Sequence, residues 1–214
     1  LLGWSYSATD TLFTPEELIE KFSLDRVSRN PAVFDMKKLE WMNGVYLREL
    51  DPDELTDLVI PFVQQEGLLP ESIDAGTREW VKKIAVSLQS RVRTLREFVS
   101  SSRYFFVDDI DYDEAAVDKF LARDYVPDML VVLENKLKQV EPFTEEKIEQ
   151  VFLEVKEKTG RKLGDVIQPV RVAVTGTSVS PGMYEVLAAL GRPRTIQRLQ
   201  RGAEIARAKL AEKH

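Results

Sequence analysis

Cysteine is absent from the 214 residues, so neither a disulfide framework nor a thiolate metal site can form. Histidine is almost absent too, the one copy being the last residue, His214. That excludes an internal Ser-His-Asp triad and any H-x-x-H or H-E-x-x-H metal site. The Gly-rich phosphate cradles G-x-x-x-x-G-K-[ST] and G-x-G-x-x-G are missing as well. No apolar run approaches the roughly 20 residues of a membrane-spanning helix, and no membrane partner is expected. The opening Leu1-Leu2-Gly3-Trp4-Ser5-Tyr6 has neither the basic nor the apolar region of a signal peptide. It also lacks an initiator Met, so the expectation is a piece of a longer, cytoplasmic protein.

What is present supports a folded core: 43% of residues are hydrophobic. The net charge of −6 argues against generic nucleic-acid binding, and no DNA partner is expected. The charge is unevenly spread. From Arg161 to His214 ten basic residues face four acidic ones, whereas the preceding 160 residues carry 20 basic and 32 acidic. A basic end on an acidic body can still approach phosphates locally; the alternative is that solvated helix faces differ in sign.

The pattern is helical nearly throughout, and the expected class is all-α. Thr14-Pro15-Glu16-Glu17 is a capping box that opens a short helix through Phe22. Asp35 can cap a second helix, with Met36, Leu39, Met42 and Tyr46 at helical spacing. Asp51-Pro52-Asp53-Glu54 opens a third, which Pro61 should kink or divide. Further helices are predicted over 74–88, from Thr94-Leu95-Arg96-Glu97 onward, and over 114–121, 127–138 and 145–159, with Gly160 as C-cap. Leu163, Val166, Ile167, Val170 and Val174 form an i, i+3, i+4, i+7, i+11 stripe. Ser180-Pro181 is read as the cap of the next helix, which Gly191 ends. The last helix, over 193–213, has Ile196, Leu199 and Leu210 inward and Arg194, Arg198 and Arg201 on a basic outer face. The stretch 103–107 reads as a short strand or extended connection. The acidic run Asp108–Asp113 lacks the Gly at the sixth position and the Glu at the twelfth of a calcium loop, so it reads as a solvated turn, not a metal site.

Several dispersed segments carry a family resemblance. They are Leu1-Leu2-Gly3-Trp4-Ser5, Phe34-Asp35-Met36-Lys37-Lys38-Leu39-Glu40-Trp41-Met42-Asn43-Gly44, Lys162-Leu163-Gly164 with Gln168-Pro169-Val170-Arg171, and Thr175-Gly176 with Ser180-Pro181-Gly182. In this order they resemble the C-terminal part of bacterial-type glutamyl-tRNA synthetases. The resemblance implies a helical cage of two helix-rich subdomains. Residues 1–55 would touch the tRNA stem, 56–106 form a first anticodon-binding subdomain and 107–214 a second. It also implies a monomeric parent that joins glutamate to its tRNA with ATP and Mg²⁺. The family's H-I-G-H and K-L-S-K-[RS] motifs are absent here, so this chain is expected to hold no catalytic residue, metal or cofactor, and to bind only tRNA.

Position by position, Arg91, ahead of Thr94-Leu95-Arg96-Glu97-Phe98, aligns with the arginine at the third anticodon base. Arg171 aligns with the one near the first base. Ser180, Pro181 and Met183 align with residues enclosing the middle base. Guanidinium offers a planar fork of donors and can stack on a splayed base, and Pro and Met offer apolar walls. Weaker tRNA contacts are expected at Lys37, Lys38, Arg93, Arg96 and Arg103. The alternatives are an Arg91–Glu97 pair, a solvated Arg171, a core Met183 and solvated lysines. The rival function is a non-catalytic helical protein-interaction module, and a stand-alone enzyme using paired carboxylates is a third.

Overall fold

The helices of the first half begin where the sequence supplies an acceptor for their free N–H groups. In a computed structural model that describes residues 3–7, 10–28 and 33–212, α1 spans Pro15–Lys21 and α2 Met36–Glu49. They are followed by α3 (Pro52–Gln65), α4 (Ala75–Gln89) and α5 (Leu95–Phe106). Thr14 and Asp51 close reciprocal capping boxes, while Asp35, Asp74 and Thr94 each accept from the third residue of their helices. Such a cap is worth about 1 kcal/mol. Leu1, Leu2, Lys213 and His214 lie outside the described residues.

The second half holds α6 (Glu114–Ala116), which passes into a π-turn over Val117–Leu121, then α7 (Val126–Leu137) and α8 (Glu145–Thr159). The last three helices are α9 (Leu163–Thr175), α10 (Met183–Leu190) and α11 (Arg192–Ala211). Among the described residues the only strand-like pairing is a single bridge between Trp4 and Val27, so the all-α expectation stands.

α3 packs on α4 and α5, and α11 lies along α7 and α9. α8 is enclosed by α7, α9 and α10. One hydrophobic cluster extends from Leu47 to Ala206, with Phe98, Phe105, Phe152 and Leu199 fully buried. The two groups of helices meet where Trp80 Nε1 of α4 donates to the Ala189 carbonyl of α10 at 2.7 Å. The N-terminal segment is tied to α2 by Tyr46, whose hydroxyl donates to the Phe13 carbonyl, and is held together by Trp4, whose ring meets Phe13 and Phe22.

The structure corrects or refines four readings. Residues 103–106 are helical, because Tyr104 and Phe105 extend the buried stripe of Phe98, Val99 and Ser102. α3 passes through Pro61 undivided. The apolar residues Met36, Leu39 and Tyr46 of α2 are exposed, and Gly44 and Leu47 make its buried face. Arg198 is 2% exposed, so it belongs to no outer face.

Candidate nucleic-acid interface

Three ends of secondary structure converge on one cleft of about 920 Å³. The C-terminal end of α4 brings Leu88 and, just beyond the helix, Arg91; α5 brings Glu97, Ser100, Arg103 and Tyr104. The segment after α5 adds Val107, Asp109, Ile110 and Asp111. Opposite stand Thr175, Thr177, Val179, Ser180 and Pro181, from the turn between α9 and α10. That turn is fixed by Gly176, whose φ of 78° belongs to the left-handed region that ends α9. A Cβ there would stand 1.9 Å from the Asp111 carbonyl oxygen, so only glycine lets the two walls approach so closely.

The two arginines behave differently. Arg91 is exposed, lines the cleft, and its guanidinium makes no hydrogen bond or ion pair among the described residues. The anticipated Arg91–Glu97 pair does not form, because a Glu97 carboxylate oxygen accepts from the Arg93 N–H at 2.7 Å. Arg171 sits behind the opposite wall. Its Nη1 donates to the Pro181 carbonyl at 2.9 Å, to the Ser180 carbonyl at 3.1 Å and to Ser180 Oγ. Burial lowers its pKa, with Tyr104 opposing and the neighbouring Arg91 reinforcing. Arg171 therefore clasps the Ser180-Pro181 turn while Arg91 stays free across the cleft.

Ser180-Pro181 does not cap α10 as the sequence suggested. Gly182 occupies that position, and the Ser180 hydroxyl is engaged by Arg171 instead. Pro181 is buried but still contributes to the wall. Met183 is 4% exposed and part of the core, the alternative weighed for it.

Of the weaker positions, Arg103 lines the cleft. Arg93 and Arg96 are exposed just outside it, and Arg93 is held against α2 by Asn43, whose Nδ2 donates to its carbonyl at 2.5 Å. Lys37 and Lys38 are exposed on the first turn of α2, separate from the cleft lining.

The sequence reading missed the roles of two residues. Tyr104 is 8% exposed and lines the cleft; its hydroxyl is buried without a partner, and burial pushes its pKa up. Arg198 donates to the Val174 and Val107 carbonyls, both at 2.7 Å. Burial brings its pKa down to about 10, so it stays charged at neutral pH. The signal was there for Arg198: it falls in register with Thr195, Leu199, Gly202, Ala203 and Ala206, the buried stripe of α11.

The walls carry Arg91 and Arg103 against Glu97, Asp109 and Asp111. A phosphate would meet three carboxylates there, whereas the edge of a base, which presents donors and acceptors, finds both complements.

Known proteins match this chain along its length. It is 41% identical over 200 residues, 94% of the chain, to a protein named glutamate–tRNA ligase from Thermodesulfovibrio yellowstonii, and 36% identical over 211 residues to one from Moorella thermoacetica. The chain spans about two fifths of those relatives' length, 42% and 43%. A crystal structure of a glutamate tRNA ligase from Elizabethkingia meningosepticum in complex with its amino acid shares the fold, with a TM-score of 0.82 at 21% identity over 95% of this chain and 39% of that one. The family model described as the anticodon binding domain matches residues 54–203, which include Arg91, Arg171 and the whole cleft, and the chain therefore belongs to the anticodon-binding domain family.

Proposed function

We propose that the chain is the anticodon-reading end of a glutamate–tRNA ligase and that the cleft between α5 and the α9–α10 turn receives unstacked anticodon bases of glutamate tRNA. The observation that carries this is the unpaired Arg91 guanidinium facing a wall that Arg171 holds in place. Arg91 supplies a fork of donors to a base edge, Pro181 an apolar wall, and Tyr104 an aromatic floor. Arg93, Arg96, Lys37 and Lys38 stand where they could meet phosphates outside the cleft, and such contacts supply affinity without sequence preference.

Joining glutamate to tRNA belongs to the longer parent, a cytoplasmic monomer in this reading. In the same reading its ATP and Mg²⁺ are held by the catalytic part of that parent, whose motifs this sequence does not contain. No chemical step is therefore assigned to these residues.

Titration of the chain with glutamate anticodon stem-loops altered at the third base tests the reading. Arg91→Ala should remove about 1–3 kcal/mol of preference for the cognate base. Equal losses for every base would reduce Arg91 to a phosphate contact and contradict the assignment.

A further inference from the structure

We propose that Arg198, although outside the cleft, is a positioning residue for base recognition, setting the separation of the cleft's two inner walls. The inference rests on the anticodon-binding reading above.

α5 and α9 both end at the cleft, and a helix end leaves its last carbonyls without intrahelical partners. Here α11 supplies the donors from behind. Arg194 Nη1 donates to the Phe105 carbonyl at 2.6 Å, and its Nη2 pairs with Asp108 at 3.0 Å. One turn further on, Arg198 Nη2 donates to Val107 and Nη1 to Val174. Two more bonds join the same strips of chain: the Tyr112 hydroxyl donates to the Ala173 carbonyl at 3.0 Å, and the Asp113 N–H to the Gly176 carbonyl at 2.9 Å.

Among these bonds, those of Arg198 span both walls with one rigid group. Val107, Asp109 and Asp111 line one side of the cleft, while Thr175 and Thr177, directly after Val174, line the other. The planar guanidinium fixes the distance between the two carbonyls it holds, and a lysine, with a single ammonium on a flexible stem, does not. Arg198 itself is buried, and its hydrogen-bond partners are these carbonyls, not a carboxylate. Its charge serves the backbone geometry of the cleft.

The test compares the chain and its variants by stem-loop titration and by melting. Arg198→Lys should weaken binding of the cognate stem-loop about five- to tenfold, with third-base-altered stem-loops changing by less than about twofold, because a loosened site forfeits fit before it forfeits charge. Tyr112→Phe, which removes one bond between the same strips, should lower the preference about two- to threefold and decides the matter if Arg198→Lys does not fold. Ile148→Val, buried on α8 away from the cleft, should lower the melting temperature and leave base preference intact. Base preference unchanged in Arg198→Lys and Tyr112→Phe, with only melting affected, overturns the proposal. Absence of base preference in the unaltered chain would instead sink the functional reading and this inference with it.

Discussion

At the level of single side chains, the two arginines aligned with anticodon positions do different work. Removing Arg171 strands the Ser180 and Pro181 carbonyls that it binds, and Arg171→Ala should cost about 1–3 kcal/mol of stability in urea unfolding. Arg91→Ala removes no internal bond and should stay within about 0.5 kcal/mol of the parent chain. Equal destabilisation by both would mean that the free guanidinium is not free. Glu185 offers a pH readout. Burial chiefly, and the nearby Glu145, raise its pKa above the ordinary glutamate value, with the Gly182 N–H and Arg91 opposing. A carboxylate whose pKa is raised on folding favours the fold below its unfolded value, near 4.5, and that contribution is lost as pH rises through the raised pKa. Glu185→Gln should therefore raise the melting temperature at pH 7 and have little effect near pH 4; the reverse order would refute the assignment. The sequence singled out Arg91, Arg171 and Ser180-Pro181 because they sit in recognisable motifs, and the fold gathers them at or directly behind one cleft. The sequence did not show which were enclosed, because whether Met183 faces the core or the cleft, or Arg198 faces outward, depends on a helix that packs only after folding.

At the level of elements, local chemistry was the most legible part. The caps at Thr14, Asp35, Asp51 and Thr94 form, since they depend on residues within one turn, whereas Thr144, also a cap by its sequence position, makes no side-chain cap bond to α8. Readings failed where a distant partner decides. The aromatic run 103–107 suits a strand by propensity, but α5 continues through Phe106 because Tyr104 and Phe105 fall on its buried face. Ser180 looks like a cap until Arg171, nine residues away, takes its hydroxyl. The close pairing of α11 with α9 gives the prediction at this scale. A Cβ on Gly202 would stand 2.4 Å from the Ala173 Cβ and 3.2 Å from its Cα, so Gly202→Ala must push the helices apart. The expected cost is about 1–3 kcal/mol in denaturant unfolding, even though alanine is the better helix former. A stabilised variant would show that the approach is not tight.

For the molecule as a whole, the acidic first 160 residues and basic last 54 meet at the cleft, which draws its walls from both. A chain of net charge −6 can hold RNA only where its charges are arranged for it, and here the arginines alternate with carboxylates that disfavour phosphate and suit base edges. The central claim is that anticodon bases enter this cleft. Its most direct test is photo-crosslinking of the chain to a glutamate anticodon stem-loop carrying a photoreactive nucleotide at each anticodon position in turn, with the attached peptides identified. Cross-links should fall within 88–111 and 175–181, and Arg91→Ala should weaken them at the third position; cross-links confined to α1, α2 or the outer face of α8 would contradict the account.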